Sequence, residues 1–270
     1  MNVQDLLCTA VDEEDKQLFK KACDFSQYSA VEVKAVPTST GASYPLTEGD
    51  FSRIKPGRWG NDNLVNALFY ILQNDDNTRS AISQQRPSLF LPSNFAMKFH
   101  DEFGNLIEEY GGLDGDLITQ LQRWFRGVNI LDLEFIFIPV KTGVVGSGNE
   151  HWYLVVVHVP LRTITCIDSI AGTSRMGMML RVRDFVVQAE ETLLGESAST
   201  SWEISEAVAY DSQCNLVCPQ QSNGSDCAYF TLTAAEFTCR RLPLLYSQAH
   251  MGTIRMKVCA RLFSYFADSR

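Results

Sequence analysis

The sequence predicts an α+β fold, and three observations carry that prediction. Runs of β-branched and aromatic residues, too short and too apolar for surface helices, crowd the middle of the chain. Helix-patterned segments lie at both ends. The 270 residues are ample for one real core, and no repeat or low-complexity tract divides them.

The charged stretch from Val11 to Cys23 reads as one short helix, and Val31 to Tyr44, with Pro37, Ser39, Thr40 and Gly41, reads as a linker. An extension over 1–43 and one folded domain over 44–270 are therefore expected. Thr47 to Asp50 resembles a helix cap, Pro56-Gly57 a turn, and Asp62 to Leu72 a capped helix with apolar residues at helical spacing. Two further helices are expected at Pro92 to Phe99 and Leu117 to Phe125. The period then changes. Phe135 to Val140, Trp152 to Val159 and Thr163 to Ile167 read as core strands, with Gly143 to Gly148 joining the first two and Pro160-Leu161-Arg162 turning the second into the third. Met176 to Leu194 reads as an amphipathic helix and Trp202 to Val208 as a fourth strand. A buried helix over Ala228 to Phe237 and a closing helix over Met251 to Tyr265 complete the series.

Composition removes several functional classes. A formal charge of −9, from 23 basic and 32 acidic residues, argues against a general nucleic-acid surface and favours a partner with a basic face. No apolar run reaches membrane-spanning length. The eight cysteines are expected as thiols, because the chain far exceeds the small scaffolds that need bridges and lacks the start of a secretory leader. Cys214 and Cys218 approach metal-ligand spacing, but no second pair follows, so structural thiols are the reading preferred. No metal site is expected from this spacing.

Cys227 stands where the polar run from Pro219 to Asp226 gives way to the buried helix. Backbone N–H groups and the positive end of the helix dipole favour thiolate there, and thiolate is the nucleophile. Gln221, six residues earlier, offers an amide donor. A cysteine nucleophile needs a base and a group to orient it. Of four histidines, His151 opens a core strand beside a glycine-containing loop, while His100, His158 and His250 occupy a helical segment, the strand's far end and a loop. Asp168 closes the next strand, and the Pro160 turn folds that strand back toward the level of His151, where a carboxylate can accept the Nδ1–H bond that fixes the tautomer. Taken singly, a strand-end Asp is more often a turn residue and a His beside Trp a packed one.

Together these residues match a family. From Tyr44 onward the chain resembles the ubiquitin-like-protein-specific (SUMO or sentrin) proteases of the adenain-like, papain-fold clan. The pattern Gln-x-Asn-x-x-Asp-Cys-Gly is present as Gln221-Ser222-Asn223-Gly224-Ser225-Asp226-Cys227-Ala228, and the His-Trp pair as His151-Trp152. The acid stands in Cys166-Ile167-Asp168-Ser169, the early Pro-x-x-Trp-Leu-Asn-Asp segment is Pro56-Gly57-Arg58-Trp59-Gly60-Asn61-Asp62, and Ile136-Phe137-Ile138-Pro139-Val140 is the matching strand. The resemblance implies a central mixed sheet flanked by helices. It also implies a thiol isopeptidase that cleaves after the C-terminal Gly-Gly of a ubiquitin-like modifier, maturing precursors or releasing lysine conjugates. Cys227 would attack, His151 act as base and then acid, Asp168 orient it, and Gln221 with the Cys227 N–H hold the oxyanion. Trp59 and Trp152 would wall a Gly-Gly tunnel and Asp62 meet basic residues of the modifier. No cofactor is implied.

SUMO is placed ahead of Rub or ubiquitin on motif spacing and domain size. The partners expected are the modifier and its conjugates, with neither nucleic acid nor membrane, and a monomeric enzyme in nucleus or cytoplasm, or in a host's if the protein is a secreted effector. Readings kept beside it are a deubiquitinating or Rub-deconjugating enzyme, a non-catalytic binding module, and an effector acetyltransferase on the same scaffold. Two residues depart from the pattern. Ala228 replaces Gly and is expected to crowd the leaving side of the substrate, and Gly60 replaces Leu and is expected to loosen the segment carrying Trp59.

Overall fold

The structure is a computed structural model, and it describes residues 11–23, 36–37, 43–44, 46–100, 125, 127–143, 150–194, 201–205 and 218–267. The helix expected at Leu117 to Phe125 apart from its last residue, the part of the glycine loop over 144–148, the end of the fourth strand and Cys214 lie outside these residues. Helix α1 (Glu13–Cys23) is followed by a two-residue antiparallel pair, β1 (Val36–Pro37) with β2 (Ser43–Tyr44), inside the stretch read as linker. Then come α2 (Glu48–Ser52), α3 (Asp62–Ser83), β3 (Leu89–Phe90) and α4 (Ser93–Met97). Next are the core strands β4 (Phe135–Thr142), β5 (His151–His158) and β6 (Thr163–Ile167), then α5 (Met176–Leu194) and β7 (Glu203–Ser205). The closing helices are α6 (Cys227–Cys239) and α7 (Met251–Ala267).

The five strands β3 to β7 form one mixed sheet in chain order, with β4, β5 and β6 antiparallel and β3 and β7 added parallel at the edges. Pro139 survives in β4 because the two-residue β3 pairs only as far as Phe137, so the donor that proline lacks has no acceptor to miss on that side. Alternation along β5 sends its side chains to two cores. Trp152, Leu154 and Val156 pack with α3, α6 and α7, while Tyr153, Val155 and Val157 pack with α4 and α5. Burial on both faces explains why these strands read as unbroken apolar runs. Helix α6 is buried from Cys227 to Phe237, and its apolar stretch is that of a central helix. Among the described residues no helix is long and apolar enough to cross a membrane.

Helix α3 starts where expected: Asn61 caps it by accepting the Leu64 N–H at 3.1 Å. It runs eleven residues past Leu72, however, through a polar segment that periodicity assigns to no core face. That segment is held by polar anchors. Gln73 donates to Ser88 O at 2.8 Å and accepts from Phe90 N–H at 2.9 Å, and Asp76 accepts from Ser88 N–H. Helix α1 docks on α7, with Leu18 and Phe19 against the first core and Asp15 paired with Lys257 at 3.5 Å.

Candidate active site

The site forms where the start of β5, the end of β6 and the start of α6 meet. The β5–β6 register pairs Leu154 with Ile167, so Asp168 comes level with Tyr153, two residues from His151. The His151 ring bridges that gap: its Nε2 lies 2.6 Å from Asp168 Oδ1. This corrects the expected tautomer contact, since Nε2 rather than Nδ1 meets the carboxylate, and Nδ1 is the nitrogen left for Cys227. All three residues are buried.

Burial alone would pull the His151 imidazole down, but the bond to Asp168 and the neighbouring Cys227 thiol outweigh it and raise it to about 9. Burial works on Asp168 in the opposite sense and is likewise overcome. His151, the Ile170 N–H at 2.9 Å and the Arg175 Nε at 2.8 Å hold its carboxyl below the usual carboxylate range. Arg175 also lies over the Tyr153 ring, 4.5 Å from its centre. The Asp168 carbonyl accepts from Gln220 Nε2 at 2.9 Å and from the Cys218 thiol at 2.9 Å, so this residue is held at both ends.

Cys227 is the first residue of α6. The preceding Asp226 does not cap the helix with its side chain; its carboxylate instead binds Arg255, Gln248 Nε2 and Asn223 Nδ2. No side-chain oxygen of Asp226 thus takes an N–H of the first turn, where Tyr229 and Phe230 donate to the Asp226 carbonyl. Arg255, 1% exposed, donates to Asp226 and to the carbonyls of Arg53, Ile54, Lys55, Arg58 and Ser225. A guanidinium buried among five carbonyls and a carboxylate ties the segment before Trp59 to the start of the nucleophile helix.

Gln221 lies half-buried on the turn, donating to Asn223 O and accepting from Ser169 Oγ at 2.6 Å, while its backbone N–H donates to Ser169 O at 2.9 Å. Its amide has a second N–H beyond the one that Asn223 takes. Trp152 is buried and donates from Nε1 to Gly60 O at 3.1 Å, whereas Trp59 is half-buried. Asp62 accepts from Ser93 Oγ at 3.2 Å and pairs with Lys141 at 3.1 Å, so a basic residue of any partner would share it with Lys141. The other histidines stand apart: His100 bonds Ala96 O, His158 lies against Phe135 and Glu134, and His250 closes a turn with Ser247.

The Ala228 methyl does not crowd the thiol's open side. The residue is 1% exposed and its Cβ faces Gly60. A cavity of about 390 Å³ lies beside Asp168, lined by Ile170, Arg175, Cys218 and Gln220, but neither Cys227 nor His151 lines it. Five described cysteines, Cys166, Cys218, Cys227, Cys239 and Cys259, are buried thiols. No group of three metal-ligating side chains occurs among the described residues.

Sequence reasoning missed Arg175 and Arg255. Arg255 carried a signal, since it occupies the apolar face of α7 between Ile254 and Val258, where a solvated cation has no place. Arg175 carried none, because it precedes a helix in a polar loop.

A profile of the Ulp1 protease family, C-terminal catalytic domain, matches residues 58–269. Sentrin-specific protease 2 of Rattus norvegicus is 26% identical over 213 residues, covering 79% of this chain and 31% of the relative. The ubiquitin-like-specific protease ESD4 of Arabidopsis thaliana is 24% identical over 240 residues, covering 87% of this chain and 43% of the relative. The chain thus spans less than half the length of these curated relatives. The C-terminal Ulp1 protease domain, solved in complex with Smt3, the yeast ortholog of SUMO, has the same fold, with TM-score 0.63, 18% identity and coverage of 96% and 97% of the two chains.

Proposed function

The chain belongs to the Ulp1 protease family, and from that premise we propose that it is a cysteine isopeptidase acting on SUMO, in precursor processing and in release from lysine. The observation that carries the reading is the His151–Asp168 contact of 2.6 Å beside a thiol at a helix N-terminus. Those groups are the minimum for thiol acyl transfer. The Ulp1 domain solved with Smt3 shares the fold, which supports SUMO as the modifier.

In this mechanism the Cys227 sulfur attacks the carbonyl carbon of the modifier's last glycine. Negative charge develops on the carbonyl oxygen and is met by the Cys227 N–H and the second amide N–H of Gln221. An imidazole raised to about 9 is an imidazolium at neutral pH, so His151 holds the proton that the leaving amine requires. Collapse releases the amine and leaves a thioester. His151, now neutral, takes a proton from water, the hydroxide equivalent displaces sulfur, and the modifier leaves as a free carboxylate. Asp168 keeps Nε2 engaged throughout, so that Nδ1 faces the sulfur. Trp59 covers the Gly-Gly path and Trp152 supports it from below, since only glycine lets a backbone pass so close to indoles. Residues 44–270 form the catalytic domain and 1–43 its extension, in a protein of nucleus or cytoplasm.

The test is turnover of lysine-linked SUMO, Rub and ubiquitin conjugates, with Cys227→Ala as control. SUMO release by the wild type, lost in Cys227→Ala, is expected. Faster release of ubiquitin or Rub moves the substrate assignment to that modifier. Capture of SUMO without turnover by either protein would leave a binding module in place of the enzyme.

A further inference from the structure

Gly60 and Ala228, the two departures from the family pattern, touch each other. A Cβ placed on Gly60 would lie 2.7 Å from the Ala228 Cβ, closer than two such carbons can come, with Tyr229 Cε2 next at 3.7 Å. The backbone of Gly60 is not in the left-handed region, so conformation does not demand glycine there. The neighbouring methyl does.

Neither side can yield cheaply. The Ala228 Cβ is rigidly attached to the first turn of α6, between Cys227 and Tyr229. The Tyr229 hydroxyl donates to Arg53 O at 2.9 Å and its ring lies 3.9 Å from the Arg255 guanidinium. On the other side, Gly60 O accepts the Trp152 indole N–H at 3.1 Å, and Asn61 caps α3 while donating to Asp50. Any side chain at position 60 therefore pushes the Trp59 segment and the nucleophile helix apart, and it moves Trp152, the neighbour of His151, with them.

We propose that Gly60 and Ala228 form one positioning unit that sets the spacing between the Trp59–Trp152 groove and the Cys227 thiol, a side chain at position 60 being compatible with function only when the Ala228 methyl is absent. This rests on the reading of Cys227 as nucleophile for a threaded modifier tail. Both residues are buried, so they act through the Trp59 segment and through the placement of Cys227.

A double-mutant cycle on the full chain tests the proposal, with Gly60→Ala, Ala228→Gly and the double variant. Three readouts are taken: labelling efficiency by a SUMO probe carrying a C-terminal electrophile, alkylation of Cys227 by iodoacetamide, and Tm. Gly60→Ala is expected to lower probe labelling by roughly 10²-fold, the scale of a ~1 Å misplacement, while iodoacetamide still alkylates Cys227. Adding Ala228→Gly should restore labelling to within about threefold, because the two sites are in contact and their effects cannot add. A harmless Gly60→Ala, or a loss unchanged in the double variant, overturns the proposal. If no modifier probe labels the wild type, the isopeptidase reading fails separately, and the Tm cycle decides whether the pair is coupled: additive Tm shifts overturn it, and rescue in the double variant supports it.

Discussion

Asp168 meets three donors with two oxygens, and its charge is what holds the His151 proton. The folded imidazole titrates at about 9 against an ordinary 6.5, a raised value. Its pairing therefore stabilises the fold fully below pH 6.5 and is lost as pH rises through about 9. Asp168, lowered from 3.8, contributes above that value and loses its contribution as pH falls below it. Catalysis should follow the imidazolium, so kcat/KM is expected to decline through about pH 9. Asp168→Asn should move that limb to lower pH and reduce kcat more than it raises KM; an unmoved limb would reduce Asp168 to a turn residue. Gln221→Ala is expected to lower kcat by roughly 10²-fold, the usual loss of one oxyanion donor, and a change confined to KM would remove it from the reaction. The meeting of His151, Asp168 and Cys227 in one place was legible because a strand start, a strand end and a helix start are positions that pattern reveals. Which nitrogen faces the carboxylate was not, since it depends on a ring orientation that register leaves open.

At the level of elements, Arg255 of α7 clamps the segment 53–58 to the start of α6. Arg255→Lys keeps the charge but cannot reach five carbonyls and Asp226 together, because an ammonium has three donors. The two donors lost leave two buried acceptors unpaired at about 1–3 kcal/mol each, or a Tm loss of roughly 4–24 °C at ~2–4 °C per kcal/mol. Thermal denaturation of the variant checks this, and a loss under ~2 °C would mean that the clamp is redundant. The existence of α3, β4, β5, β6 and α6 was readable from period and composition. The second half of α3 was not, because Gln73 and Asp76 anchor it through hydrogen bonds, which hydrophobic pattern does not register. The short β1–β2 pair inside the proline-containing stretch was missed for a similar reason, as two residues per strand give no alternation to read.

On the scale of the whole molecule, α1 packs on α7 rather than standing free of the catalytic core. Phe19→Ser should lower Tm by roughly 2–6 °C while leaving kcat/KM for the conjugate unchanged, as expected for a side chain remote from Cys227. The chain's −9 charge should draw a modifier with a basic face, so higher salt is expected to raise KM with little change in kcat. A KM indifferent to salt would place the recognition in apolar contacts. Intact-mass analysis with peptide mapping, after reaction with a SUMO C-terminal electrophile, decides whether Cys227 attacks the end of a SUMO tail. A single adduct on Cys227, absent from Cys227→Ala, is expected; an adduct on another cysteine, or none while the thiol remains alkylatable, would take the nucleophile's role from Cys227.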